Sequence, residues 1–108
     1  MMYPLQYSPA ALRDLDEIDA YITEELSNPD AASQIVNSIL DAAERLERFP
    51  ESGAALSSIS RVPSDYRFIP VHNYLIFYRV RTQSVYIDRV LYSRRDYMRI
   101  LFDPQAKT

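Results

Sequence analysis

Arginines in the second half of the chain are the residues best suited to chemistry. Arg67 lies in a short apolar run, and Arg94 and Arg95 form a turn that follows a longer one. A guanidinium group is a planar fork that matches phosphate and carboxylate oxygens. Tyr97 follows the turn and could stack on a base or pack beneath a helix. These four residues are the predicted contacts to an acidic or phosphate-bearing target.

Two further arginines, Arg79 and Arg89, also fall on apolar runs. For both we favour a structural interpretation, in which nearby Asp65, Asp88 and Asp96 pair with the arginines at the surface. Exposed pairs of this kind contribute little stability each. Arg79 and Arg89 are therefore not among the predicted contacts to the target.

His72 is the only histidine and lies in a predicted turn. Such a residue is usually a solvated polar group, although a neutral imidazole near arginines can act as a general base. If the protein were a nuclease, the catalytic candidates would be Arg67, His72 and Arg95. The chain has no cysteine and one glycine, which excludes thiolate chemistry and a glycine-rich phosphate loop. We expect no metal site and no cofactor.

Charge is divided unevenly along the chain. Residues 1 to 60 hold three arginines against eleven acids, whereas residues 61 to 108 hold eight arginines and one lysine against four acids. This division predicts an acidic helical half and a face that attracts anions. The start of the chain lacks the pattern of a signal peptide, and no stretch is long and apolar enough to span a membrane. We expect a cytoplasmic protein made of one domain, residues 1–108.

Apolar spacing predicts two helices in the first half. A short strand at Tyr3 to Tyr7 precedes Ser8-Pro9, a cap followed by proline, and leucines and isoleucines then recur at helical steps to Leu26. Asn28-Pro29 interrupts the pattern, and a second helix is predicted for residues 30–49. So short a connection makes the two helices antiparallel.

Three strands and a final short helix are predicted in the second half. The strands cover residues 66–71, 74–80 and 85–92, and Pro70 assigns the first to an edge or a bulge. The fold class is therefore α+β, a helical hairpin packed on an antiparallel sheet in the order β-α-α-β-β-β-α. Residues 103–108 are predicted to be a frayed tail. The predicted core contains the following side chains: Leu12, Leu15, Ile22, Ile35, Ile39, Leu46, Ile76 and Tyr78.

Three segments in this order resemble one protein family. They are the sequences Phe-Pro-Glu-Ser-Gly at 49–53, Asn-Tyr-Leu-Ile-Phe-Tyr-Arg-Val at 73–80 and Val-Leu-Tyr-Ser-Arg-Arg-Asp-Tyr at 90–97. Together they resemble the RelE/ParE superfamily of toxins from bacterial type II toxin–antitoxin systems, over nearly the whole chain. The helical hairpin and the loop at 49–53 are more similar to the ParE-like branch.

The resemblance implies two alternative activities. RelE-like members cleave mRNA on the ribosome with basic residues and a C-terminal tyrosine, whereas ParE-like members inhibit DNA gyrase. The positions of the RelE-like group fall on Arg67, Ile69, Leu75 and Leu101, and Arg95 is the other basic residue that remains. Because three of these side chains cannot transfer a proton, the resemblance favours a toxin that is not an enzyme.

The predicted function is therefore a ParE-like toxin that inhibits gyrase and is neutralised by a cognate antitoxin protein. The alternative is a ribosome-dependent mRNA interferase, with ribosome and mRNA as partners. The third hypothesis is an inactive module that only binds antitoxin. In each case operator DNA would be reached only through the antitoxin, and no membrane partner is expected.

Overall fold

The computed structural model describes residues 2–103, so all of the predicted tail at 103–108 except its first residue lies outside the described residues. The helices and strands in chain order are β1 (Leu5–Tyr7), α1 (Pro9–Ala20), α2 (Pro29–Arg45), β2 (Ala54–Ala55), β3 (Arg67–Val71), β4 (Tyr74–Val80), β5 (Val85–Tyr92) and α3 (Tyr97–Phe102). Within this range no helix is long and apolar enough to cross a membrane.

The two long helices begin where the sequence predicts. Ser8 caps α1 by accepting a hydrogen bond from the Ala11 amide, and Asn28 caps α2 by accepting one from the Ala31 amide. A proline stands at the first turn of each helix, where its missing amide hydrogen has no consequence. The ends are different from the prediction. The α-helical geometry of α1 stops at Ala20, and α2 stops at Arg45 rather than four residues later.

The five strands form one sheet in the order β1-β5-β4-β3-β2. The predicted α+β class and the β3-β4-β5 meander are confirmed. One pairing departs from the antiparallel expectation, because β1 runs parallel to β5. Sequence reasoning also missed β2, which pairs with Arg67 and Phe68 alone. Beyond Phe68 the outer edge of β3 has no described neighbour, and Pro70 is tolerated there.

The sheet carries a core on each face. The helical hairpin covers one face, and its buried centre includes Leu15, Ile22, Ile39, Leu46, Ile76 and Tyr78, as predicted. The other face is covered by the loop after β2 and by α3, through Leu56, Tyr66, Phe77, Leu91, Ile100 and Leu101.

Two of the predicted core assignments need correction. Leu12 is 51% exposed, because the buried stripe of α1 runs through Ala11, Leu15 and Ile18, and Leu12 is turned about 100° away from Ala11. Ile35 is only half-buried, since its side chain lines an open groove rather than the closed core.

Candidate binding groove

A groove of about 670 Å³ opens between the helical hairpin and the turn that joins β3 to β4. Its apolar floor is formed by Ile18, Ile22, Ile35 and Val90. Its rim carries three tyrosines and several polar groups. A concave apolar site with a few polar groups at its edge is the usual form of a ligand or peptide site.

The three tyrosines of the rim come from three elements. Tyr74 and Tyr92 face each other across β4 and β5, and their rings lie edge to face with centroids 5.9 Å apart. Burial raises the pKa of Tyr74, and negative charge on Tyr21 or Tyr92 would raise it further. Tyr21 is 55% exposed. These rings offer apolar faces together with hydroxyl groups, a combination common at binding interfaces.

A π-helical turn at Tyr21–Glu25 shapes the helical side of the groove. The Leu26 amide bonds to the Tyr21 carbonyl 3.3 Å away, and the Asn28 amide bonds to the Ile22 carbonyl at 3.2 Å. The wider turn leaves Ile22 in the core and Leu26 on the groove, 57% exposed. Such turns are uncommon and often lie at functional sites.

A buried ion pair joins α1 to β5 at the base of the groove. The Asp14 carboxylate, 4% exposed, accepts hydrogen bonds from Arg89 Nε at 2.8 Å and Nη2 at 2.7 Å. It also accepts one from the Val90 amide at 2.9 Å. The pairing of β4 with β5 shifts register at this point, since Tyr78 lies opposite Ile87 while Phe77 lies opposite Arg89. This β-bulge redirects the strand and brings Arg89 under α1.

Two of the predicted site residues meet in the groove. His72 has φ of 54° in the turn between β3 and β4, and it lines the groove together with Arg95. The Ser93 amide bonds to the Asn73 carbonyl at 2.8 Å, which joins the arginine turn to this hairpin. Arg94 is exposed nearby and does not line the groove. The groove thus combines a cationic end with an apolar floor.

The other two predicted site residues lie elsewhere. Arg67 is at the opposite end of the sheet, where its Nη1 donates to the Gly53 carbonyl at 2.7 Å and to the Glu51 carbonyl at 3.3 Å. Tyr97 is half-buried on the face that α3 covers, with its ring 5.2 Å from that of Phe77. The structure therefore does not assemble the four predicted target contacts into one site.

The predicted surface ion pairs are only partly present. Arg79 Nε lies 3.4 Å from Asp65, and its guanidinium stacks over the Tyr66 ring at 4.0 Å. Arg89 pairs with the buried Asp14 rather than with one of the surface carboxylates, and Asp88 accepts a hydrogen bond from the Tyr66 hydroxyl at 2.6 Å. Burial raises the pKa of Tyr66, and the hydrogen-bonded Asp88 carboxylate raises it further. Asp96, which caps α3, lies 3.8 Å from Arg99 of that helix.

Sequence reasoning missed most of the groove. Leu26 was assigned to a regular helical stripe, and Tyr74 and Tyr92 were treated as ordinary strand residues. One signal was available at Tyr21, a large aromatic residue on the otherwise acidic face of its helix. No group of three metal-binding side chains occurs among residues 2–103.

Comparison with known proteins identifies the family. The model of the ParE toxin of the type II toxin–antitoxin system parDE matches residues 5–97 of this chain. The chain belongs to the ParE toxin family. It is also 33% identical over 98 residues to the candidate toxin Y4kP of Sinorhizobium fredii, a match that covers 90% of this chain and 95% of the relative.

Solved structures agree with this assignment. A chain of the chromosomal ParDE toxin–antitoxin system of P. aeruginosa superposes with a TM-score of 0.71 at 25% identity, covering 84% of this ParE toxin and 96% of that chain. The RelBE2 toxin–antitoxin complex of Mycobacterium tuberculosis shares the fold, with a TM-score of 0.64 at 21% identity over 85% of this chain and 99% of the other. The predicted membership of the RelE/ParE superfamily is confirmed.

Proposed function

We propose that this ParE toxin inhibits DNA gyrase and is neutralised by an antitoxin that docks in the groove. The family assignment supports a toxin with an antitoxin partner. The observation that carries the choice between the two family activities is the absence of proton-transferring side chains from the positions that a RelE-like nuclease uses. The distribution of those positions over both faces of the sheet also supports the gyrase hypothesis.

The nuclease positions do not share one face of the sheet. Ile69 packs on the side of the helical hairpin, whereas Leu75 packs on the opposite side. Leu101 is 2% exposed in the core beneath α3. None of these three side chains can hold or transfer a proton. In addition, α3 covers the centre of the sheet face on which Leu75 lies. General acid–base catalysis needs titratable groups within reach of the substrate.

One observation keeps the mRNA interferase as the second candidate. His72 and Arg95 line the same groove, and an imidazole beside a cation could act on a phosphodiester. Arg67, the third residue of the nuclease hypothesis, points into the loop at 49–53 instead. The inactive antitoxin-binding module is the third hypothesis, and it shares the groove with the first.

The groove suits an amphipathic segment of an antitoxin. An apolar side chain of the partner would cover Ile22 and Leu26, and an acidic one would reach Arg95 at the other side. A segment that folds on binding lays its apolar face into such a site. Because Arg95 lines the groove, the same segment would cover the predicted contact to the target. Neutralisation then follows from direct occlusion.

Replacing Leu26 with serine is expected to weaken antitoxin binding about fivefold to tenfold. The side chain is 57% exposed in the free toxin, so covering it is worth roughly 1 to 1.5 kcal/mol, about half the value for full burial. The affinity would be measured by calorimetry with the cognate antitoxin.

Ile59→Ser is the matched control, because Ile59 is 61% exposed in the loop after β2. Its affinity for the antitoxin should equal that of the wild type. Equal weakening by both substitutions, or none by Leu26→Ser, would place the antitoxin elsewhere.

The gyrase hypothesis is tested by inducing the toxin in growing cells. Plasmid DNA isolated after induction should lose negative supercoils while ribosome-bound transcripts stay intact. Cleavage of those transcripts at defined codons, with normal supercoiling, would favour the interferase. If growth, supercoiling and transcripts are all unchanged, the third hypothesis, an inactive module that only binds antitoxin, is the one that survives.

A further inference from the structure

The loop at residues 49–53 is hydrogen-bonded to two side chains of the sheet beneath it. Tyr78 is fully buried, and its hydroxyl accepts a hydrogen bond from the Gly53 amide at 3.0 Å while donating one to the Pro50 carbonyl at 2.8 Å. Arg67 donates to the Gly53 and Glu51 carbonyls. Two side chains of the sheet thus bind three carbonyls and one amide of a single short loop. The loop is preorganised by the sheet.

Gly53 makes this close approach possible. A Cβ atom at this position would lie 2.6 Å from the Tyr78 hydroxyl oxygen and 2.8 Å from the Phe68 carbonyl oxygen. Real contacts of this kind are essentially never so short, so any other residue would push the loop away from the sheet. The chain places its only glycine where the loop meets this anchor.

The outer side of the same loop presents apolar surface to solvent. Phe49 is 64% exposed. It borders a pocket of about 450 Å³ whose walls also include Tyr3, Pro50 and Val80, with Glu51 and Ser52 on the loop. Glu51 makes no ion pair with any residue between 2 and 103. The pocket therefore joins two aromatic rings to one unpaired carboxylate.

We propose that this pocket receives a lysine or arginine side chain from the protein target of the toxin. The aliphatic part of such a side chain would lie along Phe49, Pro50 and Val80. Its cationic head would reach the Glu51 carboxylate and the face of an aromatic ring. Among residues 2–103, Glu51 is the only charged residue that lines the pocket, so the charge complementarity selects a basic partner group.

The position and rigidity of the loop both indicate that the partner bound in this pocket is the target of the toxin rather than the antitoxin. The groove proposed for the antitoxin is lined by Ala31 and Ile35 in the first half of α2, whereas the pocket follows the end of that helix at Arg45, about 15 Å along the helix axis from Ile35. A segment that folds on binding adapts to its site, whereas a folded partner gains affinity from a rigid, preformed element with an exposed aromatic anchor. The inference depends on the toxin having a protein target and does not require that target to be gyrase.

Two substitutions test the pocket, each with a matched control. Phe49→Ser is paired with Ile59→Ser, since the two side chains are 64% and 61% exposed. Glu51→Gln is paired with Asp41→Asn, an exposed carboxylate on α2. The toxin level that halves growth is measured by titrated induction with quantified protein. Melting temperature and antitoxin affinity are measured on the same purified variants.

Phe49→Ser and Glu51→Gln are expected to raise the toxin level needed for growth arrest about tenfold or more, and the controls should match the wild type. Melting temperature and antitoxin affinity should be unchanged. If both variants arrest growth like the wild type, or if they lose antitoxin affinity instead, the proposal is wrong. A wild-type toxin that never arrests growth also contradicts it. Arrest that depends on Phe49 while supercoiling stays normal would refute gyrase and leave this inference standing.

Discussion

Replacing Asp14 with alanine is expected to lower the free energy of unfolding by about 3 to 5 kcal/mol, the usual effect of removing one partner of a buried ion pair. The substitution leaves the Arg89 guanidinium beneath α1 with a side chain only 14% exposed. It also leaves the Val90 amide without its acceptor at the β-bulge. The change is measured by urea denaturation at neutral pH.

The neighbouring Asp16→Ala is the control, because Asp16 is exposed on the same helix. Its effect should stay within about 0.5 kcal/mol, as for most surface positions. An Asp14→Ala protein as stable as Asp16→Ala would mean that the ion pair does not hold α1 on β5. Because Asp14 lies at the base of the groove, the destabilised variant should also bind antitoxin less tightly.

Reversing the charge of Arg95 is expected to reduce toxicity at least a hundredfold. Loss of a charge-assisted contact costs about 1.5 to 3 kcal/mol, so Arg95→Ala should weaken target binding roughly tenfold to a hundredfold. A glutamate adds repulsion against the same acidic or phosphate-bearing group. Toxicity is measured as the protein level that halves growth. Arg95 is exposed and makes no ion pair with any residue between 2 and 103, so both variants should be as stable as the wild type.

Arg13→Glu provides the comparison, since Arg13 is exposed on α1 and does not line the groove. It should remain as toxic as the wild type. Equal loss in Arg13→Glu would indicate a general effect of net charge. Full toxicity in Arg95→Glu would remove this residue from the target contact.

Local signals account for the parts of the fold that the sequence predicted. Ser8-Pro9 and Asn28-Pro29 mark helix starts through groups only three residues apart. The run at 74–80 has the composition of a strand, and its neighbours along the chain pair with it directly. Leu12 was misassigned because a helical stripe can be drawn through either of two adjacent residues when both are apolar.

The features that position the sites depend on contacts between distant residues. Asp14 and Arg89 are separated by 75 residues, and no local pattern distinguishes Asp14 from the other acids of α1. The Tyr78 hydroxyl contacts a loop 25 residues earlier in the chain. The strand β2 directly follows Gly53, whose amide bonds to the Tyr78 hydroxyl, although alanine is depleted in strands. Tertiary structure therefore decides these features.

Action of this ParE toxin on gyrase can be tested in a supercoiling assay with purified components. Relaxed plasmid, gyrase and ATP are mixed with increasing toxin, with and without the antitoxin. We expect the toxin to block supercoiling, equimolar antitoxin to restore it, and Arg95→Glu to leave supercoiling unblocked. Complete supercoiling at a large excess of a toxin that still arrests growth would show that gyrase is not its target.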